Sequence, residues 1–169
     1  MTTAAVARSF VTGMEYFNTY GGNPVAAAAA TAVMDAIEAE GLQANAARVG
    51  AAVLAGFGAL AADPRFTQPP VCIGSVRGCG LMCGLELIAA RSGAGEANAP
   101  DGDGAIFVKN FCYEQRGVLI STDGLFDQVI KIKPPMCFSE ENAAQMVAAV
   151  GDGLAALLEA RRAGAVKLA

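Results

Sequence analysis

Thr19, Gly21 and Gly22 stand just ahead of Asn23-Pro24, and residues of these types in this order can hold an anion. The Thr19 hydroxyl is a donor, and the two glycines allow a sharp turn that bares backbone N–H groups. Asn23 is a favourable N-cap, and Pro24 follows at the first helical position, where its missing N–H costs nothing, so the turn lies beside the positive end of a helix dipole. Such a corner suits a phosphate. Paired glycines before a capped helix also serve as a plain loop, and at this level both readings stay open. The chain has no histidine, which removes Ser-His and Cys-His nucleophile pairs and the commonest general base. Chemistry here therefore falls to carboxylates, lysines or a cofactor. Cys79 and Cys83 have a metal-clip spacing, but no second pair follows, so no metal site is expected. Cys137 and Asp123 could serve a catalyst of another kind, and nothing in their spacing supports it.

Composition narrows the classes further. Of 169 residues, 54% are hydrophobic, and the chain is also rich in alanine and glycine, which argues for a globular chain with a real core. The net charge of -4, with twelve basic residues scattered along the sequence, offers no cationic stripe for nucleic acid. The uncharged run from Val25 to Met34 is too short for a membrane span of roughly 20 residues, so no membrane role is expected. The start has no basic leader followed by an apolar block, as a secretory signal would. Five cysteines among apolar neighbours fit reduced thiols in an intracellular protein, cytoplasmic or mitochondrial.

The elements that must position these residues follow from periodicity. From Pro24 the pattern is helical, with Val33, Ile37, Val49, Val53, Phe57 and Leu60 at helical spacing and Gly41 dividing or bending the stretch. The run Ala26 to Ala30 allows close approach of another backbone, as when a helix is buried against a neighbouring domain or subunit. Glycines frame two β-prone runs, Val71 to Arg77 and Leu81 to Ile88, which read as a hairpin with Leu81, Cys83, Leu85 and Leu87 on its apolar face. Arg77, Gly78 and Gly80 read as hairpin architecture. Ala90 to Gly104 is small and polar, the composition of a mobile loop. A helix is expected over Ala105 to Arg116, stopped by Gly117. A strand pair, Val118 to Ser121 and Val129 to Ile132, is joined through Thr122-Asp123-Gly124. Ser139 caps a last helix whose apolar face carries Met146, Val147, Val150, Leu154, Leu157 and Leu158, with Arg161 and Arg162 complementing its C-terminal end. The fold class is α+β: a long N-terminal helix leading into a small, mainly antiparallel sheet covered by helices.

Three blocks, Met14 to Val25, Val76 to Met82 and Lys131 to Phe138, occur in an order and at a spacing that resemble the C-terminal portion of class-III pyridoxal-phosphate enzymes. Within that family the sequence looks most like the ethanolamine-phosphate and phosphohydroxylysine phospho-lyase branch, close to the alanine-glyoxylate aminotransferase 2 type. The resemblance implies the small C-terminal domain of a fold-type I enzyme. It implies three parts: a large-domain remnant and cofactor-phosphate loop over 1–22, connecting helices over 23–62, and a small α+β domain over 63–169. It also implies that Thr19 binds the phosphate of pyridoxal 5'-phosphate held by the neighbouring subunit of a dimer.

In the family, the Schiff-base lysine lies shortly upstream of the segment matching Thr2-Thr3, and none of Lys109, Lys131, Lys133 or Lys167 matches it. The expectation is therefore half an active site, with no catalytic residue, inactive alone and partnered by a further copy or a full-length relative. The complete family reaction would remove the proton beside the substrate amine and expel phosphate from the next carbon. Many transaminases of the class place an arginine three residues before the proline pair, where it forks onto a substrate carboxylate; here that residue is Lys131. Lys131 as a substrate-binding residue favours a small phosphorylated amine such as ethanolamine phosphate over an amino acid. The alternatives are a class-III transaminase using an amino acid and a 2-oxo acid, and a non-catalytic partner domain. A Lys131 that points into water is an equally open reading.

Overall fold

The computed structural model describes residues 2–11, 13, 16–90 and 99–166. The chain divides into two compact units, residues 1–40 and 41–169. In the first, α1 (Ala4–Phe10) is capped by Thr3, and the ring of Phe10 meets Tyr16 edge-on at 5.8 Å. The second helix, α2 (Pro24–Ala39), starts where its signals place it: the Asn23 side chain accepts from the Ala26 N–H at 2.9 Å, with Pro24 in the first turn. Within this chain α2 buries nothing. Val25, Val33 and Met34 are exposed and Ile37 is only half-buried, so the helical spacing of Val33 and Ile37 does not mark a core made by these residues.

Gly41, at φ +60°, ends that helical stretch, and α3 (Leu42–Ala62) opens the second unit. A short 3-10 turn leads to β1 (Thr67–Gln68), β2 (Val71–Cys79) and β3 (Met82–Ala90). After the undescribed residues 91–98 come β4 (Ala99–Pro100), α4 (Gly102–Arg116), β5 (Ser121–Asp123), β6 (Val129–Ile132) and α5 (Glu140–Arg162). The sheet runs β1-β2-β3-β6-β5, every pairing antiparallel, with β4 added to β3. The α+β class and its small antiparallel sheet are as the sequence implies.

One core joins these elements. Val49, Val53 and Phe57 of α3, Cys83, Leu85 and Leu87 of β3, Ile130 and Ile132 of β6, Val108 and Cys112 of α4, and Met146, Val150, Leu154 and Leu157 of α5 are all buried. Burying a Leu, Ile or Phe contributes about 1.5–3 kcal/mol, so this cluster outweighs any single polar contact. Alternation along β3 places Met82, Gly84 and Glu86 on the opposite face, as its pattern predicts. By length and composition α3 and α5 could each cross a membrane, but the larger apolar residues named above lie in this core.

Gly50 explains how α3 sits on the hairpin. A Cβ there would stand 1.9 Å from the Gly80 carbonyl oxygen, so only glycine lets the helix touch the turn, itself at φ +55° on Gly80.

Three expectations change in detail. The polar stretch 90–104 does not run on as loop to Gly104, because Asp101 caps α4, accepting from the Gly104 N–H at 3.0 Å; residues 91–98 lie outside the described part. Val118 to Ile120 are not strand, because Gly117 turns left-handed and the Val118 N–H closes back onto the Cys112 carbonyl, capping α4 instead of joining the sheet. Arg161 does not serve a solvated helix end. It is buried, with Nη1 and Nη2 donating to the two Asp101 carboxylate oxygens at 2.6 and 2.7 Å and Nη1 also to the Pro70 carbonyl at 2.8 Å.

Candidate functional site

In the first unit the candidate is the turn at Thr19. The Gly21 N–H donates to the Asn18 carbonyl, the Tyr20 N–H to Asn18 Oδ1, and Asn23 closes onto the Tyr20 carbonyl, which folds residues 18–23 into a tight corner. Gly22, at φ +74°, sits in open space. Among the described residues the Thr19 hydroxyl and the Thr19 and Gly22 N–H groups have no partner, and Thr19 is exposed. Unpartnered donors at an exposed helix start are groups of the kind that can hold a phosphate.

In the second unit a groove of about 650 Å³ opens between the 117–121 segment, the end of β6 and the first turns of α5. Lys131, Lys133 and Ser121 line it with the amides of Asn142 and Gln145, over apolar walls that include Phe138 and Met146. Lys131 sits there because β6 alternates: Ile130 and Ile132 enter the core, and Lys131 turns to the other face opposite Ser121 and Gly84.

Lys131 does not point free into water. Its Nζ donates to Asp123 Oδ2 at 2.6 Å, with the lysine side chain 30% exposed. The carboxylate is held by its own turn, accepting from the Gly124 N–H at 2.8 Å. Lys131 beside it, helped by that N–H, holds the Asp123 carboxyl below its ordinary value. Asp123, read from sequence as part of a turn and weighed as a catalyst, ends β5 and is the counter-ion of Lys131. Its partner was legible only once the strand pairing was known.

A second charge cluster lies on the same sheet face. Glu86 accepts from Arg77 at 2.8 Å, from Ser75 at 2.9 Å and from Gln128 at 3.4 Å, and Arg77 also bonds Ser75. Burial pushes the Glu86 carboxyl up, but these three bonds together outweigh it and hold it below the usual range. Arg77 is therefore architecture, as its place in the hairpin suggests. Cys137 is exposed on a loop pinned by Asn45, whose amide donates to the Met136 and Phe138 carbonyls at 2.9 and 3.0 Å. Among the described residues no group of three or more Cys, Asp or Glu is placed to hold a metal ion.

The residues missed by sequence reasoning are Asp101 and Arg161, which tie α4 to α5, and Lys133, which shares the groove with Lys131. A signal existed for Lys133, which stands two positions after Lys131, just past the end of β6. None existed for the Asp101–Arg161 pair, sixty residues apart.

Comparison with known proteins identifies the family and the fold. The sequence pattern described as aminotransferase class-III matches residues 1–154. The chain is 43% identical over 170 residues to an alanine–glyoxylate aminotransferase 2-like protein of Drosophila melanogaster, covering 100% of this chain and 32% of that protein. It is 36% identical to an ethanolamine-phosphate phospho-lyase homologue of Caenorhabditis elegans, over 80% of this chain and 27% of the relative. Among solved structures, a phospholyase from Arthrobacter in complex with phosphoethanolamine superposes with a TM-score of 0.72 at 31% identity, covering 91% of this chain and 34% of the other. The chain thus spans about a third of the length of these relatives. Its fold is that of the small C-terminal domain of fold-type I pyridoxal-phosphate enzymes, and the chain belongs to the class-III aminotransferase family.

Proposed function

We propose that this chain is the C-terminal portion of a pyridoxal-phosphate-dependent phospho-lyase acting on a small phosphorylated amine such as phosphoethanolamine. The observation that carries the reading is the Lys131–Asp123 ion pair. Many amino-acid transaminases of the class use an arginine at this position as a fork for the substrate carboxylate. Here the position is a lysine, and the lysine is already engaged by a carboxylate. A second carboxylate arriving from substrate would have to displace Asp123 or share one ammonium with it. A substrate amine without a carboxylate does not call for a planar fork at this position.

The cofactor, when bound, supplies the electron sink that lets a proton leave the carbon beside the substrate amine. The residues of this chain bind and orient. The Thr19 hydroxyl and the free N–H groups of Thr19 and Gly22 receive the cofactor phosphate, and they do so from across a dimer, for a cofactor held by the other subunit. No lysine of the chain takes the place of the cofactor-holding lysine, so the chain alone does not react. The 43% identity to a protein named for alanine–glyoxylate transamination favours a second reading, a class-III transaminase.

The two readings separate in one experiment. The native protein containing this chain, loaded with pyridoxal 5'-phosphate, is offered phosphoethanolamine in one reaction and L-alanine with glyoxylate in another. Release of inorganic phosphate with no pyruvate supports the lyase, and pyruvate without phosphate release overturns it.

A further inference from the structure

The sheet of the second unit has two edge strands, and they are built differently. At one edge β1 is followed at once by Pro69 and Pro70, which have no N–H to offer a further strand. At the other, β5 pairs with β6 on one side and its second side is open. No lysine, arginine or proline from Leu119 to Gln128 guards that side. Among the described residues the N–H and C=O groups of Leu119 and Ile120, directly before β5, have no protein partner.

Large apolar side chains stand at both ends of this edge. Leu119 is 83% exposed, Leu125 88% and Phe126 58%. The turn that carries the last two is fastened rather than slack. The Asp127 N–H donates to the Gly124 carbonyl, the Phe126 N–H to Gln128 Oε1, and the Thr122 hydroxyl to Asp127 Oδ1 at 3.0 Å. Asp127 takes φ +57° to make it, a region that a residue other than glycine enters at a cost. A fixed edge with unpaired backbone and solvated leucines is a template for one more strand. Beside its first residues lies the groove of about 650 Å³, where Phe138 and Met146 give an apolar wall and the exposed amides of Asn142 and Gln145 suit a peptide backbone.

We propose that in the native protein the free edge from Leu119 to Phe126 is paired by a strand of the same polypeptide, drawn from residues outside these 169, and that one side chain of that strand fills the groove. The relatives are about three times as long as this chain, so a protein of their length has ample polypeptide to supply it. A tethered strand also acts at an effective concentration on the order of millimolar, which outcompetes the edge of a second copy at micromolar protein. Its residues facing Leu119 and Leu125 are apolar, and it has no proline where it bonds Leu119 and Ile120. The inference holds for a lyase and for a transaminase alike.

The test uses the native protein containing this chain, loaded with pyridoxal 5'-phosphate. Amide hydrogen exchange, read at single residues by mass spectrometry, should find the Leu119 and Ile120 N–H groups about a hundredfold or more slower than in the unfolded chain. In two further preparations a benzophenone side chain replaces Leu119 or Leu125 and is photolysed. The linked product should run as a single chain on a denaturing gel, with the link mapped to a segment outside these 169 residues. Fast exchange at both amides overturns the proposal. So does a covalent dimer, which makes a second copy the occupant, and so do links confined to these 169 residues. The exchange measurement needs no substitution, so it decides even where a benzophenone variant does not fold.

Discussion

Replacing Asp101 with asparagine should be the most destabilising single-atom change in the second unit. Asp101 is fully buried and Arg161 is 7% exposed, and the two meet through a bidentate pair of 2.6 and 2.7 Å. The substituted side chain would still cap α4, since asparagine accepts from an N–H at an N-cap as well as aspartate does, so the helix start is kept and only the charge is lost. What remains is a buried guanidinium with no counter-ion. Its Nε already lacks a partner, and its one other bond goes to the Pro70 carbonyl. Breaking a buried pair from one side costs about 3–5 kcal/mol, a large part of the roughly 5–15 kcal/mol that stabilises an ordinary domain. For a unit of this size that is a fall in Tm of roughly 10–15 °C. Adding Arg161→Met removes the orphaned charge, so Asp101→Asn with Arg161→Met should recover most of the loss, because apolar replacement of a whole buried pair is often close to neutral. Urea unfolding of the 169-residue chain, of each single variant and of the double variant, followed by circular dichroism, reads all four states. A loss under about 1 kcal/mol for Asp101→Asn, or a double variant as unstable as the sum of the singles, would refute the reasoning.

Thiol titration under native conditions should find Cys79 and Cys137 fast and Cys72, Cys83 and Cys112 slow: the first two are exposed, and burial pushes the Cys112 thiol up to about 11. Five fast thiols would mean that the core is not closed. Because the folded Glu86 carboxyl lies below its ordinary 4.5, its contribution is present above that pH and is lost as pH falls through the lowered value. Unfolding midpoints measured between pH 7 and 3 should therefore fall, and Glu86→Gln should flatten part of that fall. Gly50→Ala should destabilise by about 1–3 kcal/mol despite the roughly 1 kcal/mol that Ala gains in a helix, since its Cβ meets the Gly80 carbonyl, and a thermal melt decides it. Asn45→Ala, which frees the Met136 and Phe138 carbonyls, should make the loop bearing Cys137 open more often and raise amide exchange there.

Much of the fold was legible because its signals are local. Asn23-Pro24, Gly117 and Ser139 announce helix ends through their own backbone and side-chain chemistry, and the alternation of Cys83, Leu85 and Leu87 fixes which face of β3 is buried. The hairpin could be read for the same reason. Val118 to Ile120 misled because β-prone residues follow the helix directly, and the capping bond from Val118 outcompetes sheet pairing. Val33 and Ile37 marked a helix correctly, but an apolar stripe shows only that a helix face is suited to burial and not what buries it. At the candidate site, Thr19 and Lys131 could be picked out by type and place. Whether Lys131 was free could not, since Asp123 reaches it only through the β5–β6 register. Pairs that depend on register or on tertiary packing, such as Asp101 with Arg161, leave no mark in spacing.

In the proposed function this chain supplies binding and orientation, and the cofactor-holding lysine belongs to residues outside it. Borohydride reduction of the native protein with pyridoxal 5'-phosphate, followed by intact mass and peptide mapping, tests that most directly. The account predicts a mass well above 17.1 kDa, with the pyridoxyl label on a lysine outside these 169 residues. A label on Lys109, Lys131, Lys133 or Lys167 would contradict it.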